Sequence, residues 1–180
     1  MKTIAFVTSN KNKVKEVEDI LGIKLAWRDI DVDEIQDMDL LKIVEHKAKQ
    51  AYSVINKPVI VEDVGFYIDD WGGFPGPFIK WLHGTMGYDV FPKRISKSNR
   101  KAVWKIMYGY YDGRKFYSFL GSLKGSIANH QKGNNGWGFD VIFVPVGHTQ
   151  TLAQMGEEEK NKISARKKAL MKLKKFLRSL

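Results

Sequence analysis

Pro58-Val-Ile-Val-Glu-Asp-Val-Gly65 is the stretch from which the fold reads outward. Val59–Val61 is β-branched, continuous and bounded by Pro58 and Gly65, which predicts a short buried strand. Two carboxylates, Glu62 and Asp63, close that strand. Burying them is costly unless a cation or hydrogen-bond donors compensate. Metal ligation or general-base catalysis requires such an arrangement; on these residues alone, a solvated strand cap is the other reading. Trp71-Gly-Gly-Phe-Pro-Gly-Pro-Phe78 follows within ten residues, a Gly-rich turn suited to close approach of a ligand to the backbone.

Upstream, Thr3–Val7 predicts a first strand, followed by the polar turn Thr8-Ser-Asn-Lys-Asn-Lys13 and a helix through Leu21. Val14, Val17, Ile20 and Leu21 share one helical face. A strand feeding a polar turn at a helix N-terminus leaves backbone N–H groups free for an anion, and Lys13 adds a point charge. The Gly-x4-Gly-Lys spacing of a P-loop is absent. Lys24–Ile30 predicts a second strand. An acidic stretch then leads to Asp39, placed to cap a helix reaching about Val54 through Leu40, Ile43, Val44 and Lys47. One or two of these acids can supply hard oxygen ligands for Mg²⁺.

Downstream, a helix is expected around Tyr88–Ser96. Segments 102–111 and 115–120 flank Asp112-Gly113, a hairpin signal. Lys132-Gly-Asn-Asn-Gly-Trp-Gly-Phe-Asp140 precedes a strand at Val141–Val144; Trp137 and Phe139 suit either base stacking or a core turn. Glu157–Ile163 predicts a short helix before a last one. Strands alternating with helices, then a hairpin, indicate an α/β fold with a mixed sheet, a single domain over residues 1–180 with two lobes.

The chain has no Cys, which excludes disulfides, thiolate metal sites and cysteine nucleophiles. No apolar stretch reaches membrane-spanning length and no signal sequence precedes the first strand, so a cytoplasmic protein without membrane partners is the simplest expectation. His46, His83, His130 and His148 show no ligand spacing. The formal charge of +10 is local: from Lys160 to Leu180 there are nine Lys or Arg and no acid, while the remainder holds 21 basic and 20 acidic residues. Leu170, Leu173, Leu177 and Leu180 give that terminal segment an apolar docking face. Its outer face is read as a solvated basic surface, with an anionic-substrate wall or a nucleic-acid or membrane surface as the other readings.

Taken together, five segments resemble the inosine triphosphate pyrophosphatase family, house-cleaning enzymes for non-standard purine nucleoside triphosphates. They are Thr8-x-Asn10-x-x-Lys13, Val61-Glu-Asp-Val-Gly65, Gly72-Gly-Phe-Pro-Gly-Pro-Phe-Ile-Lys-Trp81, Gly136-Trp-Gly-Phe-Asp140 and Glu159-Lys-Asn-x-Ile-Ser-x-Arg166. The resemblance implies an elongated, two-lobed mixed sheet flanked by helices, a nucleotide cleft between the lobes and a homodimer. It implies hydrolysis of ITP, dITP and XTP to the monophosphate and pyrophosphate with Mg²⁺. By resemblance, Thr8, Asn10 and Lys13 hold the triphosphate, with Lys47 and Lys80 on phosphates. Glu34 is the metal acid, with Glu45 a weaker candidate; Glu62 lies beside the metal; Asp63 is general base and shares the metal site. Trp137 stacks on the base, Asp140 contacts the nucleoside, and Lys160, Ser164 and Arg166 complete the base and phosphate pocket.

Two positions depart from the family pattern. Ala165 stands where the family has His between Ser and Arg, which opens the base preference, and Val141 stands where it has Pro. The alternatives are a nucleic-acid-binding protein of the same fold without catalysis, which the acids would oppose by repelling a phosphate backbone, and a Maf-like pyrophosphatase with shifted base specificity.

Overall fold

The computed structural model describes residues 3–136 and 138–180. The fold is α/β, built on an open mixed sheet of seven strands ordered β2-β1-β3-β5-β6-β7, with β4 added on β3. In chain order the elements are β1 (Ala5–Val7), α1 (Lys11–Leu21), β2 (Ala26–Arg28), α2 (Leu40–Ile55), β3 (Val59–Ile68), β4 (Pro75–Gly76), α3 (Ile79–Met86), α4 (Val90–Arg94), β5 (Lys101–Tyr111), β6 (Phe116–Ile127), β7 (Phe143–Pro145), α5 (Glu157–Ile163) and α6 (Ala165–Leu177). Strand β1 pairs in parallel with β2, Ala5 opposite Ala26, and with β3, Ala5 opposite Val59. Each parallel pair is joined by a helical crossover, as parallel pairing requires.

The chain forms two compact units. The first is Met1–Val64, Ile106–Gly121 and Arg166–Leu180; the second is Gly65–Lys105 and Ser122–Ala165.

In the first unit, α2 starts where Asp39 Oδ1 accepts from the Leu41 N–H at 2.9 Å, as the sequence predicts. Its stripe Leu40, Val44, Ala48 and Ala51 packs with Ala5, Val7, Val59, Val61 and Met107 into one cluster. Ala169, Leu170 and Leu173 bury the face of α6. The stripe stops short of its expected end: Leu177 closes the helix, and Leu180 lies beyond it with 71% of its surface exposed. The Asp112-Gly113 turn joins β5 to β6, with Asp112 Oδ1 accepting from the N–H groups of Arg114 and Lys115 at 2.8 Å each. Gly113 takes φ +95°, and a Cβ there would strike the Tyr52 ring.

In the second unit the core is aromatic. Phe66 stacks on Phe139 at 4.5 Å and meets Phe143 edge-on at 5.6 Å, with Trp104 and Phe91 also against this group. The Gly72–Gly76 turn folds back as β4 against β3, Phe66 opposite Gly76. The helix expected over Tyr88–Ser96 is the five-residue α4.

Strand β3 corrects the opening reading. It runs ten residues, not three, because Phe66 and Ile68 continue the buried alternation past the acids. Gly65 is an interior strand residue whose missing Cβ leaves room for the Tyr67 ring, 2.6 Å from where it would sit. Glu62 and Asp63 therefore lie in mid-strand. Their burial is imposed by the sheet, not by a strand terminus.

Candidate active site

Successive residues of a strand point to opposite faces of the sheet. Val59 and Val61 lie in the α2 cluster, and Asp63 follows them onto that side. Ile60 and Glu62 take the other side, where Tyr108 and the first helix supply partners. The adjacent acids thus enter different environments.

Glu62 is only 7% exposed. Lys13 Nζ donates to its Oε1 at 2.5 Å. Arg166 donates from Nε to Oε2 at 3.3 Å and from Nη2 to Oε1 at 3.5 Å. The Tyr108 hydroxyl donates to Oε2. Arg166 has a second anchor in Glu16 Oε2 at 3.1 Å. Burial alone pushes the Glu62 carboxyl up, but the Arg166 and Lys13 charges and the bonds from Lys13 and Tyr108 outweigh it and hold it at about 2. Burial and the Glu62 charge raise the Tyr108 phenol well above the usual tyrosine range, so it stays a neutral donor. Burial lowers and Glu62 raises Arg166; the Glu62 side prevails.

Asp63 is half-buried. Its Oδ1 accepts from the Val64 N–H at 2.7 Å, and Lys47 Nζ stands 3.8 Å from its Oδ2. The same Lys47 ammonium donates to Glu34. Lys47 can reach both because it sits on the inward stripe of α2, one turn from Val44 and Ala51. Burial pushes the Asp63 carboxyl above the ordinary aspartate range, against the pull of Lys47 and the Val64 N–H; Glu34 and Glu62 add repulsion. Beside this group, His46 Nε2 lies 3.2 Å from Asp33 Oδ2.

Thr8 and Asn10 occupy the turn between β1 and α1. Thr8 Oγ1 accepts from the Asn10 N–H at 3.1 Å, and the Trp27 indole donates to the Thr8 carbonyl at 2.9 Å. This fixes the turn from which α1 projects Lys13. The first unit thus holds Thr8, Asn10, Lys13, Glu34, Lys47, Glu62, Asp63 and Arg166. Glu45 does not join them: it accepts from Lys49 at 2.6 Å on the outer face of α2.

Lys80, Asp140, Lys160 and Ser164 belong to the second unit. Asp140 is buried and accepts from Lys160 Nζ at 2.5 Å. Phe139, stacked in the aromatic core, fixes the turn that presents it. Thr151 Oγ1 donates to the Lys132 carbonyl at 2.8 Å and the Lys132 N–H donates to the Val141 carbonyl at 2.8 Å, tying down the Gly-rich loop. Gly136, at φ +88°, has no room for a Cβ because Asp140 Oδ2 and Lys160 Nζ occupy that space. Lys80 is exposed, its ammonium 6.0 Å from the Trp81 ring. Ser164 caps the C-terminus of α5, and Ala165 is buried at the start of α6. Trp137 lies outside the described residues.

Tyr108 and Glu16 escaped the sequence reading. Tyr108 meets Glu62 across 46 residues, and an inward tyrosine in a strand carries no local mark of its partner.

The Ham1 family model matches residues 4–176. The chain belongs to the Ham1 family. It is 36% identical to a dITP/XTP pyrophosphatase of Thermococcus kodakarensis over 97% of each chain. It is also 36% identical to the inosine triphosphate pyrophosphatase of Schizosaccharomyces pombe, covering 99% of this chain and 97% of that one. Among solved structures, the Staphylococcus aureus Ham1 protein superposes with a TM-score of 0.82 over 99% of both chains at 25% identity. The Ham1 relationship thus spans the strands and helices that carry both residue groups.

Among the described residues, no three His, Cys, Asp or Glu side chains gather into a metal cage. The Ham1 chain does bring two carboxylates, Glu34 and Asp63, to one ammonium. That surplus of negative charge suits a divalent ion arriving with a polyphosphate, since Mg²⁺ is commonly bound by one or two carboxylates and substrate oxygens. Among the described residues, no helix is long and apolar enough to cross a membrane.

Proposed function

We propose that this protein hydrolyses non-standard purine nucleoside triphosphates, ITP, dITP and XTP, to the monophosphate and pyrophosphate. The observation that carries the reading is the half-buried Asp63, held by the Val64 N–H and raised above the ordinary aspartate range within reach of Lys47. A carboxylate so placed is a stronger base than a solvated one. The names of its relatives support the substrate class.

Asp63 takes a proton from water, and the water oxygen bonds to the α-phosphorus. The bond from that phosphorus to the pyrophosphate oxygen breaks, and its electron pair leaves with pyrophosphate. Thr8, Asn10 and the α1 N-terminus hold phosphate oxygens through hydrogen bonds and backbone N–H groups. Lys13, Lys47, Lys80 and Arg166 offset the triphosphate charge, which otherwise repels an anionic nucleophile. Glu34 and Asp63 would hold Mg²⁺, which supplies Lewis-acid polarisation of the phosphates. Asp140, Lys160, Ser164 and Trp137 take the nucleoside and base. The protein acts in the cytoplasm as a homodimer.

The test is pyrophosphate release from ITP, XTP, dITP, GTP and ATP, with Mg²⁺ and with chelator. The expected result is turnover of the first three over ATP, abolished by chelation. Equal rates for ATP and ITP would sink the house-cleaning role while leaving a hydrolase.

A further inference from the structure

A carboxylate offers about four lone-pair sites, and Glu62 has four donor contacts. Lys13 Nζ and Arg166 Nη2 reach Oε1; Arg166 Nε and the Tyr108 hydroxyl reach Oε2. A metal ion could bind Glu62 only by displacing one of them. We infer that Glu62 is a positioning residue that aims Lys13 and Arg166, and that the buried Tyr108 hydroxyl completes the clamp on it. This deepens the proposed function and rests on it for the substrate's phosphates.

The arrangement has a physical logic. Lys13 comes from α1 and Arg166 from α6, and one carboxylate at mid-strand meets both. Glu16 holds Arg166 from its other side at 3.1 Å, so the group of Glu62, Glu16, Lys13 and Arg166 has no net charge of its own. A third cation on Oε2 would repel Lys13 and Arg166. A neutral phenol fills the last site without doing so. Tyr108 is fully buried, its ring 6.3 Å from that of Phe6, so its hydroxyl cannot swing to another partner. Without it, Oε2 keeps only the 3.3 Å contact from Arg166. The carboxylate is then free to rotate towards its two cations, and both lose the setting from which they meet phosphate.

Tyr108→Phe removes one oxygen and leaves the ring. Two titrations on the full chain decide the matter: calorimetric binding of inorganic pyrophosphate without metal, and ITP kinetics across Mg²⁺ concentrations. The expected result is pyrophosphate affinity weaker by roughly ten- to 150-fold, the range for a hydrogen bond to a charged group. KM for ITP should rise in parallel, with the Mg²⁺ concentration for half-maximal rate unchanged. Glu62→Gln should weaken pyrophosphate at least as much. The double variant should be no worse than Glu62→Gln alone, because Tyr108 acts through that carboxylate. Wild-type pyrophosphate affinity in Tyr108→Phe overturns the inference, as do independent effects in the double variant. A raised Mg²⁺ requirement in Glu62→Gln at unchanged pyrophosphate affinity also overturns it, by making Glu62 a metal ligand. If Tyr108→Phe does not fold, Glu62→Gln decides through the same two readouts. Absence of ITP hydrolysis by the wild-type protein would refute only the proposed function, since the pyrophosphate titration is read without turnover.

Discussion

Replacing Glu62 by Gln converts its contacts with Lys13 and Arg166 into a measurable pH effect. In the folded protein the carboxyl ionises at about 2, against an ordinary 4.5. A group whose pKa is depressed on folding stabilises the native state above its unfolded pKa, and that stability is lost as pH falls through the folded pKa. The gap corresponds to about 3 kcal/mol at neutral pH. The same relation leaves about 1 kcal/mol at pH 3 and almost nothing below 2. The amide keeps the shape and cannot ionise, so the wild-type advantage over Glu62→Gln should follow this curve. Urea unfolding of both proteins at pH 7, 5, 4 and 3, followed by tryptophan fluorescence, measures it. An advantage that stays constant from pH 7 to 3, or grows on acidification, refutes the reasoning: the Glu62 charge would then not be held by Lys13 and Arg166.

Other outcomes follow from the same geometry. Asp63→Asn should lower ITP turnover by at least about a thousandfold with a melting temperature close to wild type, checked by pyrophosphate release and calorimetry. Because burial raises the Asp63 carboxyl, the acid limb of kcat/KM should lie above the ordinary aspartate range. Lys47→Met should move that limb further up, by at least about one pH unit for a cation 3.8 Å from a largely buried carboxylate; a pH–rate profile reads the direction. Lys160→Met removes the ammonium 2.5 Å from the buried Asp140 and should destabilise the protein by about 2 kcal/mol, the scale of one hydrogen bond to a charged group, seen as a lowered urea midpoint.

Much of the fold was legible because its signals are local. Asp39 caps α2 through a bond to a residue two positions on, and Asp112-Gly113 makes its turn from its own side chain and backbone. The α6 stripe was read correctly as far as Leu177; Leu180 followed the same spacing but lies past the end of the helix. The length of β3 was misread because Gly65 usually punctuates a strand, whereas here its bareness accommodates Tyr67.

The site divides in the same way. Residue type and order mark Lys13, Glu62 and Asp63, whereas Thr8, Asn10, Asp140, Lys160 and Arg166 are marked by the resemblance of their short motifs to the inosine triphosphate pyrophosphatase family. Sequence also set the two acids side by side, and the strand's period of two then sent them to opposite faces. What each acid meets there was decided only by folding. Lys13, Tyr108 and Arg166 reach Glu62 from 49, 46 and 104 residues away, while Lys47 stands before Asp63. Strand alternation is a local property of the backbone, but the charge a buried carboxylate carries depends on donors that only tertiary packing brings within hydrogen-bonding distance.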